Sequence, residues 1–243
     1  MLKFTKEYES TYTKSYDEGL RQFMYMIYMY VAIGLFITAI TAFSVLNLSI
    51  LTNLIFNVVD GTIVGMSLFG SIMVYSPLFI GIYFFSSFNN SSVNTAKNLF
   101  WAYCVAMGVS ISTIGLMYTM HSIAKVFFIT SAAFGGMSLY GYVTKKDLSQ
   151  YGSFLIVGLI GVFIESLINI FLQSAAIEFA FSIIGIVVFM GFIAWDTQKL
   201  KSIYYSVGGG EMGQKVSIMG AFTLYLDFIN LFLYMLRFFG NRK

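Results

Sequence analysis

The chain is poor in the residues on which soluble chemistry usually depends. Its 243 residues include one cysteine (Cys104), one histidine (His121) and one proline (Pro77). A single cysteine excludes an intramolecular disulfide and any multi-cysteine metal site. A single histidine excludes the paired-histidine motif of zinc metalloproteases and any His-rich metal site within one chain. Charge is scarce as well. Asp, Glu, Lys and Arg make up 10% of the chain, against about 25% in an ordinary soluble domain. The net charge of +3, from 14 Lys+Arg and 11 Asp+Glu, is too small a surplus for a nucleic-acid binder. What is abundant is apolar: 58% hydrophobic residues, 26 Phe and 17 Tyr, and a mean hydropathy of +0.80. A chain this apolar is not disordered. It reads as an all-α integral membrane protein, one compact bundle in a lipid bilayer.

Residues 1–21 are polar, with Lys3, Lys6, Lys14 and Arg21 among four acids. They have neither the apolar core nor the small-residue cleavage site of a removable signal, and they predict a cytoplasmic segment ahead of a single bundle over 22–240. About 20 apolar residues cross the hydrocarbon layer as a helix, and hydropathy predicts seven such helices over residues 22–46, 62–88, 98–120, 122–143, 152–172, 177–195 and 216–236. Residues 47–61 are too polar to span and too apolar for a free loop, which suggests an interfacial segment. Residues 196–215, with Gly208, Gly209 and Gly210 at their middle, read as a mobile cytoplasmic loop. Pro77 is expected to kink the second helix, and Ala132 with Gly136 to form a helix-packing pair.

The positive-inside rule puts the N-terminus in the cytoplasm. Ten Lys and Arg then face inward, while Lys125 alone lies near the outer face. Arg237, Arg242 and Lys243 fall outside if the last segment crosses fully, and inside if it is re-entrant. Its length favours seven crossings.

Carboxylates at membrane depth each need a reason, since one costs about 2.5 kcal/mol or more at a helix centre. Three qualify. Asp227 lies near mid-membrane and shares a helical stripe with Gly220, Thr223, Asn230 and Tyr234, so that stripe must face the bundle or a wet cavity. Asp196 is expected at the cytoplasmic end of the sixth helix, where an acid opposes the helix dipole. If the last two helices are antiparallel neighbours, the two acids can approach and share a proton, a pair responsive to pH. The spacing alone does not establish that they meet, and an aspartate that only locks packing is the plain alternative. Glu165 sits on its helix with Gly161 and Asn169, as a structural acid or part of a cation pathway. Glu178, Asp60 and His121 read as solvated.

Three stretches are specific enough to indicate a family: GAFTLYLDFINLFLYMLRFFG (220–240), FIAWDTQKL (192–200) and FGGMSLYGYVTKKDLSQYGSFL (134–155). Together with NLFWAYCVAMGVSISTI (98–114), they resemble the Bax inhibitor-1 family of multi-pass membrane proteins. The resemblance implies a seven-helix bundle with six helices around a central last one. It also implies a pH-sensitive calcium leak, with the family's aspartate pair falling on Asp196 and Asp227. Some members are described as carrying a basic residue in the second helix that pairs with this site. Here residues 62–88 contain no Arg or Lys, and Glu165 stands where a small residue is expected.

The leading expectation is therefore a passive cation leak gated by Asp196 and Asp227. Glu165, Asn169, Thr223 and Asn230 are its candidate ion pathway, with calcium held only transiently and no stable metal or cofactor. An intramembrane aspartyl protease is a lesser alternative, since Leu224-Tyr225-Leu226-Asp227 departs from the GxGD pattern. A third is a non-transporting regulator that binds another membrane protein, such as a membrane quality-control protease, through the polar N-terminal segment. No enzyme activity is expected. The abundance of Ile, Phe, Asn, Tyr and Lys, without an organellar targeting segment, points to a bacterial inner membrane.

Overall fold

A computed structural model describes the chain from Leu2 to Lys243, with side chains from Glu18 onward except Ile170. The expected cytoplasmic character of residues 1–17 therefore lies outside the described side chains. Among the described residues, seven helices are long and apolar enough to cross a membrane. The chain forms an all-α membrane bundle.

The first helix, α1, runs Leu2–Asn47. Residues 47–61 are structured: a short helix, α2 (Ser49–Ile55), leads into strand β1 (Phe56–Val59). Strand β2 (Thr62–Met66) pairs antiparallel with β1. The second crossing thus does not begin at residue 62. Thr62, Ile63 and Val64 are β-branched and favour a strand. Asp60 and Gly61, at φ of 50° and 75°, make the two-residue turn with both central φ positive that a hairpin prefers. The crossing helix, α3, starts at Leu68 and ends at Ser87. Its start is capped by the Ser67 hydroxyl, which accepts the Gly70 N–H at 2.9 Å. Pro77 lies inside it and is buried. The carbonyl of Met73, deprived of the proline's N–H, instead accepts the Ser76 hydroxyl at 2.7 Å.

Helix α4 spans Val93–Ser112 and is followed by a single turn, α5 (Ile114–Met117), and then α6 (Met120–Val143) and α7 (Gly152–Leu172). Helix α8 runs Ala175–Val207 and α9 runs Gly210–Phe239. The supposed mobile loop at 196–215 is thus almost wholly helix. Leu200 and Tyr204 continue the buried stripe of Ile193, Asp196 and Thr197 at helical spacing, while Lys199 is exposed and Lys201 half-buried. Only the glycine turn interrupts it, with Gly208 and Gly210 at φ of 70° and 82°. Asp196 therefore lies well inside a helix, and the expected conflict with a C-terminal dipole does not arise.

Helix α9 carries 16 buried residues against 11 in α8 and 8 in α4, which makes it the most buried crossing. It packs against α1, α4, α6 and α8. Phe222 is fully buried, stacked on Phe84 of α3 at 4.3 Å and near Tyr103 of α4 at 4.6 Å. Lipid is as apolar as these rings, so close packing rather than water exclusion holds the helices together. The opposite faces are apolar too: Phe36, Phe79, Phe154, Val157 and Phe171 are all exposed. A patch of that size suits lipid and not water.

Gly136 does not act as a packing contact, because nothing lies within 4 Å of where its Cβ would be. The close approach is one turn on, where a methyl on Gly141 would sit 2.2 Å from the Ala194 carbonyl oxygen of α8. The chain end does not return across the bundle. Residues beyond α9 lie on the α5–α6 turn, where the Thr119 N–H donates to the Asn241 carbonyl at 3.3 Å and the Lys243 N–H to that of Met117 at 2.9 Å. Arg242 pairs with Glu178, which is therefore bound and half-buried rather than free in solvent. Lys243 Nζ donates to the Gly115 carbonyl at 2.7 Å. Arg242 and Lys243 are thus held by acceptors at their own end of the bundle.

Candidate functional site

Helices α8 and α9 pack antiparallel along most of their length because glycines face bulky side chains. Gly185 lies under the Tyr234 ring, and Gly220 lies under Leu200 of α8 and Ile27 of α1. This register brings Asp196 and Asp227 together. Their carboxyl groups face each other closely enough to interact directly, and each is 6% exposed. Two buried carboxyls this close are favourable only if they hold a proton between them. Lys199, one turn along α8, is the positive charge that acts on Asp196, and its Nζ sits 4.7 Å over the Trp195 ring. The second oxygen of Asp227, Oδ2, is buried without a partner.

Two further orphan oxygens, Ser138 Oγ of α6 and Thr197 Oγ1 of α8, are buried without a formed hydrogen bond. The phenol of Tyr28 on α1 points at both, too loosely to satisfy either. Orphaned buried oxygens are uncommon; Thr197 directly follows Asp196 on α8, and Ser138 lies three residues before Gly141, which packs on Ala194. A cavity of about 480 Å³ between α1 and α6 reaches Ser138. It is lined by Arg21, Tyr25, Tyr28, Ser138 and Tyr142, among others. Sequence reasoning did not single out Tyr28, Ser138 or Thr197. The available signal was a hydroxyl on an otherwise apolar helix face, with Thr197 directly after Asp196.

The other expected residues are arranged differently. Thr223 and Asn230 flank Asp227 on α9 and are half-buried, but each bonds its own helix: Thr223 Oγ1 donates to the Met219 carbonyl at 3.1 Å, Asn230 Nδ2 to that of Leu226 at 2.8 Å. Glu165 and Asn169 are not at the pair. Gly152 packs on Trp195 and Gly158 on Val188, which sets Glu165 level with about residue 181 of α8. That is about 22 Å along α8 from Asp196, at 1.5 Å per residue. By the Gly185–Tyr234 contact, the same level on α9 is its end, near Arg237. Asn169 Oδ1 there accepts the Ser174 N–H at 3.0 Å. Among the described residues, no group of three or more His, Cys, Asp or Glu is placed to hold a metal ion. His121 is exposed.

The profile of the family described as "Inhibitor of apoptosis-promoting Bax1" matches residues 20–243, all seven crossings. The chain belongs to the Bax inhibitor-1 family. It is 50% identical to an uncharacterized protein of Rickettsia prowazekii over the whole of both chains. It is 40% identical to an uncharacterized protein of Caulobacter vibrioides, covering 94% of this chain and 92% of that one. It is also 39% identical to the inner membrane protein YbhL of Escherichia coli, covering 93% and 94%. The Bax inhibitor-1 match therefore extends through α1 and α3, ahead of the stretches that first suggested it. Like its family, the protein is a multi-pass membrane protein.

Proposed function

We propose that this protein is a pH-sensitive passive calcium leak of the Bax inhibitor-1 type, gated at the α8–α9 seam. The observation that carries the reading is the buried Asp196–Asp227 pair. A shared proton ties α8 to α9, and its gain or loss changes the charge of the seam by one unit within a low-dielectric layer. Asp227 Oδ2, Ser138 Oγ and Thr197 Oγ1 are the oxygens left over to meet a passing ion or its water. Thr223 and Asn230 flank the route. Ca²⁺ takes six to eight oxygens, so so few donors suit transient passage rather than tight binding. Neither a cofactor nor an enzymatic step is part of this reading. Glu165 and Asn169, about 22 Å away along α8, are not part of the gate.

We place the protein in a bacterial inner membrane with its N-terminus in the cytoplasm. The E. coli relative, an inner membrane protein, and the inward bias of Lys and Arg support this. The cavity lined by Arg21, Tyr28 and Ser138 then lies on the cytoplasmic side of the bundle.

The test is calcium flux into dye-loaded liposomes at acid and alkaline pH. Wild type should leak at a rate that changes with pH. Asp227→Asn, which removes the shared proton and leaves Asp196 to titrate alone, should shift the pH at which the rate changes. Flux equal to that of empty liposomes at every pH would remove the reading and favour a regulator that acts by binding another membrane protein.

A further inference from the structure

At the other end of α8 from the aspartates, a cavity of about 630 Å³ is walled by α7, α8, the end of α9, the α5 turn and the tail. Four charged side chains line it: Glu165, Glu178, Arg237 and Arg242. Glu178 and Arg242 form the one ion pair among the described residues. The other two are left over. Glu165 is 4% exposed, and its Oε2 is buried with no hydrogen-bond partner. Arg237 enters from α9 at the same level. Its guanidinium stacks on the Tyr234 ring at 5.2 Å and has no carboxylate within 4 Å. A carboxylate at such depth is costly unless something compensates it.

The surroundings decide what that is. A calcium ion fits poorly, since it needs many oxygens and two guanidinium groups share the space. An ammonium group fits, because one carboxylate with neutral oxygens beside it, here Ser166 and Asn169, satisfies its three donors. An oxyanion fits Arg237, whose fork of donors matches carboxylate or phosphate. We propose that this chamber binds a small zwitterion, its ammonium on Glu165 and its phosphate or carboxylate on Arg237. The ligand is either a soluble zwitterion or the headgroup of an aminophospholipid. Both have access, because α7 and α8 rise past the end of α9 and leave the chamber at the bundle's edge. The inference does not depend on the gate, since none of its residues belongs to the aspartate seam.

Binding is tested on the full chain purified in detergent. Native mass spectrometry compares phosphatidylethanolamine with phosphatidylglycerol, and calorimetry compares phosphoethanolamine and glycine with ethylammonium and inorganic phosphate. The zwitterionic member of each set should bind at least about tenfold more tightly than the singly charged ones, the scale of one added charged contact. Binding of the lipid alone identifies a headgroup site, and binding of the soluble probes a solute site. E165Q should lose the preference for an ammonium, and R237Q the preference for an oxyanion. Should E165Q fail to fold, R237Q decides the matter, because Arg237 is exposed and its removal leaves the helix contacts intact. Equal binding of zwitterions and singly charged probes by wild type, or a preference that survives in R237Q, would overturn the proposal.

Discussion

Gly141 shows how a single hydrogen in place of a methyl positions the aspartates. It lets α6 approach the α8 backbone at Ala194, two residues before Asp196. Gly141→Ala would drive a methyl into a carbonyl that cannot rotate away, so the helices must separate. Overpacking of this kind costs about 1–3 kcal/mol, and thermal unfolding in detergent should show it as a lowered midpoint. Gly136→Ala is the matched control: it meets open space, and alanine is the better helix former, so the midpoint should hold or rise. Thr197 makes a different point. Its hydroxyl is fully buried and unsatisfied, so Thr197→Val should leave stability unchanged or raise it by up to about 1 kcal/mol. If that oxygen serves the leak, calcium flux should nevertheless fall. Unchanged flux together with raised stability would make Thr197 merely an ill-placed side chain.

Among the elements, the C-terminal third of α8 organises its neighbours. Gln198 accepts the Leu148 N–H at 2.7 Å and donates to the Lys146 carbonyl at 2.8 Å, clamping the loop between α6 and α7. Lys201 Nζ donates at 3.0 Å to the Tyr142 carbonyl at the end of α6. Gln198→Ala removes both loop bonds at about 1 kcal/mol each. Faster amide exchange at Leu148, with α8 itself still protected, is the expected signature. This extension of α8 was visible in the sequence as the spacing of Ile193, Leu200 and Tyr204. A hydropathy criterion ends a span at its last apolar run and so overlooks a helix that emerges into water. The Asp60-Gly61 turn between β-branched runs was likewise legible and was obscured by the same criterion. The meeting of Asp196 with Asp227 was readable only conditionally, because it depends on the α8–α9 register. That register is set by Gly185 and Gly220, whose partners lie 49 and 20 positions away in sequence. The place of Glu165 at the bundle's end, rather than on the route past the aspartates, depends on the α7–α8 register and was not legible at all.

For the molecule as a whole, seven crossings would set the start of the first crossing and the chain end on opposite faces, and the contacts of the tail fix it at its own end. Cys104 is buried, so cysteines introduced elsewhere report on their own surroundings. In intact cells, Lys243→Cys should react with a membrane-impermeant maleimide, whereas Ser206→Cys, exposed near the α8–α9 turn, should react only after permeabilisation. The reverse pattern would invert the orientation and place the Arg21 cavity outside. Reaction of both from one side would break the count of crossings itself. The same tail carries a stability consequence. Removing residues 241–243 deletes two backbone bonds to the α5–α6 turn, the Lys243 bond to Gly115 and the Arg242–Glu178 pair. The pair is half exposed and contributes little, while the backbone bonds contribute about 1 kcal/mol each. The truncated protein should therefore unfold a few degrees earlier, by about 2–3 kcal/mol in all, and its first proteolytic cut should fall in the 117–120 turn that the tail covered.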